Sequence, residues 1–254
     1  MNNDPLRILV VDDDHRMART LVDILKLSGF AAEAAYSGQE ALEKVKVNPY
    51  HIVLTDVKMP LMNGVELNHA IRALDPDLPV VLMTAYANDD LITTGLEEGA
   101  IAALTKPLNL DMLLSFFSSI RKERSVVIVD DDPDFCQSLG AILQERGYLV
   151  TYACDPRLWN EVPVQDPQIV LLDLKLGNTD GLDLLKKIGQ HSPSRPIILV
   201  TAFREEMAAA IAAARQYNIQ TCLYKPLQID ELLRVLTNYY HNEMREFLKK
   251  HAYR

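Results

Sequence analysis

Apolar residues fall along this chain in two alternating rhythms. Runs of four or five β-branched and aliphatic residues are separated by longer stretches in which apolar side chains return every three or four positions. Short runs bounded by turn residues read as buried parallel strands, and the longer spacing reads as amphipathic helix. Ile8 to Val11 is the first strand. Met17, Leu21, Ile24, Leu25 and Leu27 line the helix after it, and Ser28-Gly29 stops that helix. Ala31 to Ala35 follows as a strand, and a helix capped at Ser37-Gly38 runs to Asn48-Pro49. Ile52 to Thr55 is the central strand, with Asp56 at its end. Met59-Pro60 and Asn63-Gly64 break the chain before a helix carrying Val65, Leu67, Ile71 and Leu74, which Asp75-Pro76 closes. Val80 to Met83, a helix from Asn88-Asp89-Asp90 to Glu97-Glu98-Gly99, Ile101 to Leu104 and a helix from Leu110 to Glu123 complete the set. Five strands alternating with five helices predict a doubly wound parallel α/β sheet.

The chain then repeats the pattern at an offset of about 118 residues, the size of a domain. Val10-Val11-Asp12-Asp13-Asp14 returns as Ile128-Val129-Asp130-Asp131-Asp132. The central strand with its Asp, a Lys two residues on and a Gly eight residues on (Asp56, Lys58, Gly64) returns as Asp173, Lys175 and Gly181. Met83-Thr84-Ala85 is matched by Val200-Thr201-Ala202, and Lys106-Pro107 by Lys225-Pro226. Two domains are expected, residues 1–124 and 125–254. The junction at Arg121 to Ser125 holds no Gly, Ser or Pro run, which predicts a limited range of interdomain angles.

The second copy is less regular. Phe135, Leu139, Ile142 and Leu143 mark its first helix, but the next helical region, Asp155 to Pro163, lies between prolines and predicts a shortened or distorted helix. Glu205 to Tyr217 is Ala-rich and helical. The last helix, from Asp230, keeps apolar spacing through Leu232, Leu233, Leu236, Tyr240, Met244, Phe247 and Leu248, and so overruns the domain.

With 35 acidic against 26 basic side chains, a net charge of −9 argues against binding nucleic acid, which needs clustered cations. Every apolar run is far shorter than the ~20 residues that span a bilayer, and the N-terminus lacks an export pattern. No membrane association and a cytoplasmic location are expected. Cys136, Cys154 and Cys222, odd in number and in no Cys-x-x-Cys pair, read as reduced, packed thiols.

In a doubly wound sheet the carboxyl ends of strands one, three, four and five converge. Asp12, Asp13, Asp56, Thr84 and Lys106 then meet in one shallow pocket, and Asp130, Asp131, Asp173, Thr201 and Lys225 in a second. Three carboxylates at close range repel unless a cation lies among them, and an all-oxygen set with room for water suits Mg²⁺. A carboxylate beside such an ion is a competent nucleophile towards phosphorus, forming an aspartyl phosphate; the Lys pairs with the phosphoryl group and the Thr hydroxyl donates to it.

On these motifs, an acidic pair after strand one, an Asp after strand three, Thr-Ala after strand four and Lys-Pro after strand five, both halves resemble receiver domains of two-component response regulators. The resemblance runs from about Arg7 to Leu236. It implies two flavodoxin-like (βα)5 domains, each with a five-stranded parallel sheet. It makes Asp56 and Asp173 phosphoacceptors, Asp13 and Asp131 direct Mg²⁺ ligands, and Asp12 and Asp130 supporting acids acting largely through water. The backbone carbonyls of Lys58 and Lys175 complete the metal shell, Thr84 and Thr201 are switching hydroxyls, and Lys106 and Lys225 bind the phosphoryl group. The resemblance also implies cis peptides before Pro107 and Pro226. The implied upstream partner is a sensor histidine kinase or histidine phosphotransfer protein. A downstream protein receives the signal, and a homodimer through helix four, strand five and helix five stays open.

The chain departs from the family where an aromatic commonly precedes the Lys by three residues: here stand Ala103 and Cys222. Gly177 replaces Pro60, which predicts a looser loop beside Asp173. Bulky pairs, Lys58 with Tyr86 and Lys175 with Phe203, flank the two sites and are expected to restrict the attacking water. Four readings of the whole compete. They are a tandem receiver signalling by protein contact, the receiver portion of a larger regulator such as a diguanylate cyclase or hybrid kinase, a pair in which one domain is a non-phosphorylated adaptor, and a phosphatase with an Asp nucleophile. The last calls for Asp-x-Asp, where this chain has Lys58 and Lys175 at the third position. The only chemistry expected is Mg²⁺-dependent self-phosphorylation and dephosphorylation. His241 reads as an exposed helix residue and His15 as a loop residue.

Overall fold

A computed structural model describes residues 5–86, 90–154, 169–177, 179–202 and 217–251. Its chain clusters into two compact units, residues 1–118 with 241–254, and residues 119–240.

In the first unit β1 (Arg7–Val11), α1 (His15–Leu27), β2 (Ala31–Ala35), α2 (Gly38–Val47), β3 (Ile52–Asp56), α3 (Gly64–Leu74), β4 (Val80–Thr84), α4 (Asp90–Glu97), β5 (Ala102–Thr105) and α5 (Leu110–Glu123, which ends beyond the unit) alternate. The strands lie in the order β2-β1-β3-β4-β5, every pair parallel. This order leaves the switch point between β1 and β3, where the connections leave to opposite faces and a crevice opens at the strand ends. Leu9, Val11, Val53 and Leu82 face one core, together with Val65, Leu67 and Ile71 of α3.

The turns follow the local chemistry. Asp14 caps α1, accepting from the amides of Arg16 and Met17 at 2.9 and 3.2 Å. Ser37 accepts from Glu40 N at 3.1 Å, and Asn63 and Glu66 form a reciprocal capping box at the start of α3. His15 is not a loop residue. Because Asp14 takes the cap, His15 opens α1, where its ring stacks on Tyr36 at 3.9 Å.

The second unit repeats the arrangement with β6 (Ser125–Val129), α6 (Pro133–Glu145), β7 (Leu149–Ala153), β8 (Ile169–Asp173), α7 (Gly181–His191), β11 (Ile197–Thr201) and β12 (Ile219–Tyr224), ordered β7-β6-β8-β11-β12. Its three inner strands, β6, β8 and β11, are buried on both faces. Val127, Val129, Val170, Leu172 and Leu199 pack into one cluster, while their neighbours Val126, Ile128, Ile169, Leu171 and Ile198 pack into another. Two buried faces explain why these strands read as continuous apolar runs. Between β8 and α7, β9 (Lys175–Leu176) and β10 (Thr179–Asp180) pair antiparallel, so the loop expected to be looser carries a short ladder, with Gly177 at φ +55°. The region 155–163 and all of the expected helix 205–217 except its last residue lie outside the described residues, as do 87–89 ahead of α4; Tyr217 itself stands in a turn before β12.

Both Lys106-Pro107 and Lys225-Pro226 are cis. The last helix, α8 (Ile229–His251), runs 23 residues, and its end completes the first unit. His241 is 7% exposed, not a solvent-facing residue, and its Nε2 lies 3.1 Å from the Asp77 carbonyl oxygen. Its neighbours in the helical repeat, Tyr240, Met244 and Leu248, are buried, so it shares their face. Phe247 packs on Phe116 at 5.7 Å. Among the described residues no helix is long and apolar enough to cross a membrane.

Met244→Ala is expected to destabilise the first unit by about 2–5 kcal/mol through the lost burial and the cavity left behind. Denaturant unfolding of the two proteins checks it.

Candidate functional site

The strand ends of the first unit bring Asp12, Asp56, Thr84 and Lys106 together. Asp12 follows β1, Asp56 ends β3, Thr84 ends β4 and Lys106 follows β5. Asp12, Asp56 and Thr84 are buried, while Asp13 is exposed at the rim. The Lys106 ammonium donates to Asp12 Oδ2 at 2.7 Å and to Asp56 Oδ1. The other Asp56 oxygen accepts the Lys58 amide at 2.8 Å, and Asp12 Oδ1 accepts the Asp14 amide at 2.9 Å. Both buried carboxylates are thus held by a cation on one oxygen and a backbone N–H on the other. The Thr84 hydroxyl is engaged within its own turn, accepting from Tyr86 N at 3.0 Å, and Lys58 Nζ lies 4.6 Å from the Tyr86 ring centroid.

The second unit rebuilds this geometry. Lys225 Nζ donates to Asp130 Oδ2 at 2.8 Å and to Asp173 Oδ2 at 2.6 Å. Asp173 Oδ1 accepts from Lys175 N at 3.0 Å, Asp130 Oδ1 from Asp132 N at 3.0 Å, and Thr201 is buried at the end of β11. Carboxylate oxygens of Asp130, Asp131 and Asp173 all lie within 4.8 Å of one another, the one group of three or more metal-ligating side chains so placed among the described residues. An all-oxygen, all-carboxylate set of this size fits a hard divalent cation such as Mg²⁺. Asp12, Asp13 and Asp56 do not draw together to that extent. Phe203, paired with Lys175 in the sequence, lies outside the described residues.

Two glycines make the approach to each acid possible. A Cβ on Gly64 would stand 2.2 Å from the Asp56 carbonyl oxygen, and one on Gly181 would stand 2.5 Å from Leu174 Cα and 2.7 Å from the Asp173 carbonyl oxygen. Only a hydrogen fits where each loop folds back over its strand end. The repeated Gly eight residues after each Asp is the sequence trace of that contact. The sequence marks Phe135 only as an apolar position of α6, yet its ring centroid lies 4.6 Å from Lys225 Nζ.

Burial pushes the Asp56 carboxyl above its usual value; Lys106 pulls against that push and Asp12 adds to it. Asp130 is raised for the same first reason, with Lys225 opposing. Burial acts to lower both lysines, yet their bonds to the paired carboxylates hold Lys106 and Lys225 above the ordinary 10.5. In the second unit three carboxylates, Asp130, Asp131 and Asp173, gather at one point with the Lys225 ammonium bonded to two of them, an excess of negative charge that a further cation would relieve.

The model of the family described as the response regulator receiver domain matches residues 8–117 and again 126–237. A response regulator receiver protein of Anaeromyxobacter is 33% identical over 200 residues, covering 78% of this chain and 84% of that one. The transcriptional regulatory protein ZraR of Escherichia coli is 40% identical over 113 residues, 44% of this chain but only 26% of its own length. Among solved structures, a CheY-like receiver domain protein from Methanospirillum hungatei is 31% identical, with a TM-score of 0.45 over 46% of this chain and 94% of that one. The chemotaxis protein CheY4 of Vibrio cholerae is 28% identical, with a TM-score of 0.43 over 45% and 98%.

The raised Asp56 carboxyl carries a sign. A carboxyl with a higher value folded than unfolded weakens the fold at neutral pH and relieves it as pH falls through the folded value. Without divalent cations Asp56→Asn is expected to melt a few degrees higher than wild type at pH 7, with the gap closing as pH drops into the carboxylate range. Thermal melts across pH check it, and a lower melting point at pH 7 would contradict the assignment.

Proposed function

The chain belongs to the response regulator receiver family, twice over, and on that premise we propose that Asp56 and Asp173 are phosphoacceptors of a two-component or phosphorelay system. Along the chain the two receivers are residues 1–124 and 125–254, with the end of the last helix, from His241, grouping with the first unit. The reading rests on one observation: in both units the aspartate at the end of the third strand has its carboxylate set between a lysine ammonium and a backbone N–H, facing a second buried acid.

A carboxylate oxygen of Asp56 or Asp173 attacks phosphorus in line, forming an O–P bond as the N–P bond of a partner's phosphohistidine, or the O–P bond of a small phosphodonor, breaks. Lys106 or Lys225 turns its ammonium from the paired carboxylates to the phosphoryl oxygens. Asp12, Asp13, Asp56 and the Lys58 carbonyl would hold Mg²⁺ in the first unit, and Asp130, Asp131, Asp173 and the Lys175 carbonyl in the second. Bound there, the ion supplies neutralisation of the charge on the transferring group. Thr84 then leaves its turn contact with Tyr86 to donate to the phosphoryl group, carrying the loop after β4 with it, and Thr201, at the end of β11, donates to its own phosphoryl group. Each ~1.4 kcal/mol of contact favouring the switched state shifts the population about tenfold. The output is a protein contact at the face of α4, β5 and α5 in the first unit. The upstream partner is a sensor histidine kinase or histidine phosphotransfer protein, and the setting is cytoplasmic. Receiver domains are not conventional enzymes, and self-phosphorylation and dephosphorylation are the whole chemistry proposed.

Intact-mass spectrometry after acetyl phosphate and Mg²⁺ treatment is expected to show two phosphoryl additions on wild type, and one each on Asp56→Asn and Asp173→Asn. No addition, with Mg²⁺ failing to bind, would sink the reading. Lys58 Nζ lies over the Tyr86 ring, and in the proposed reading this pair restricts the water that attacks the Asp56 phosphoryl group. Lys58→Asn combined with Tyr86→Ala is therefore expected to shorten the Asp56 phosphoryl lifetime several-fold, measured by the decay of the phosphorylated mass in Asp173→Asn.

A further inference from the structure

The two sites share their acids, threonine and lysine, but differ in what covers the lysine. Phe135, in the first turn of α6, is half-buried and sets its ring face 4.6 Å from Lys225 Nζ. At the matching place in the first unit, 118 residues earlier, stands Met17, which has no ring. The Lys225 ammonium has three N–H donors; two go to Asp130 and Asp173 at 2.8 and 2.6 Å, and the ring face takes up the remaining side of the charge.

We propose that Phe135 is a positioning residue of the second receiver site: its ring holds the Lys225 ammonium over Asp173 by a cation–π contact, so that the phosphoryl group meets a counter-ion already in place. The inference rests on the phosphoacceptor reading of Asp173. Lysine is a flexible point charge on a four-carbon stem, and ordering it during the reaction costs rotamer freedom. A ring that orders it beforehand removes part of that cost from the transfer step. Among the described residues the first site shows no such ring over Lys106, so the two aspartates of one molecule are set to different reactivity by residues that touch neither.

The test uses the full chain with Asp56 as internal reference. Phe135→Leu keeps apolar bulk and removes the ring, while pentafluorophenylalanine at position 135 keeps the ring's shape and reverses its face charge. Both are expected to slow acetyl phosphate transfer to Asp173 about three- to tenfold, with the Asp56 rate unchanged. The Lys225 ε-methylene proton resonance, shifted upfield by the ring in wild type, is expected to return towards the free-lysine position in Phe135→Leu. Equal Asp173 rates in all three proteins overturn the proposal, as does a slow leucine variant beside a fully active pentafluoro variant, which would assign the effect to shape. An unshifted Lys225 resonance in wild type overturns it too. A wild-type Asp173 that takes no phosphoryl group while Asp56 does removes the premise and the proposal with it, an outcome distinct from unchanged rates.

Discussion

Two buried carboxylates facing each other at the open end of a parallel sheet are the constraint around which each unit is arranged. Their charges cannot be tolerated together without a cation, and among the described residues the cationic side chain bonded to both is the lysine just beyond the fifth strand. The other oxygen of each carboxylate then needs a donor, and the backbone amide two residues on supplies it in all four cases. The strand order with β1 beside β3, and β6 beside β8, brings the acids together. The loops that follow must fold tightly enough to present those amides, and Gly64 and Gly181 permit this.

Such an arrangement is satisfied but not saturated. The lysines are held firmly protonated, while Asp56 and Asp130 are pushed by burial towards neutrality. A site in that balance costs stability as it stands and gains it when further positive charge arrives, a bias suited to switching. Thr84, tied within its own turn rather than to Asp56, is the resting arm of that switch in the proposed reading.

The units are repeats without being copies. Among the described residues, the first site has a cation–π contact of Lys58 with Tyr86, and the second has one of Lys225 with Phe135. The loop after Asp56 passes through Leu61 at φ 67°, an uncommon conformation for a side-chain-bearing residue, whereas the loop after Asp173 uses Gly177 and a short antiparallel ladder. The same set of acids is thus framed by different loops in the two units.

What the sequence determined by itself is whatever depends on periodicity and on chemistry tied to an element's end. Strands buried on both faces announce themselves as unbroken apolar runs, so both sheets, and the acids, threonines and lysines at their ends, were legible from Ile8 to Lys225. A domain-length repeat doubled each of those signals. Tertiary structure alone decided what depends on which side chain meets which across the chain. His241 reads as exposed because histidine is polar, yet the helix face it shares with Tyr240 and Met244 is covered, and a carbonyl at Asp77 satisfies its ring nitrogen. His15 is helical because Asp14 takes the cap. Phe135 reads as core because a sequence shows that an aromatic lies on an apolar face and not that an ammonium 90 residues away ends against its ring. Local pattern fixes where a residue points along its element; only packing fixes what it points at.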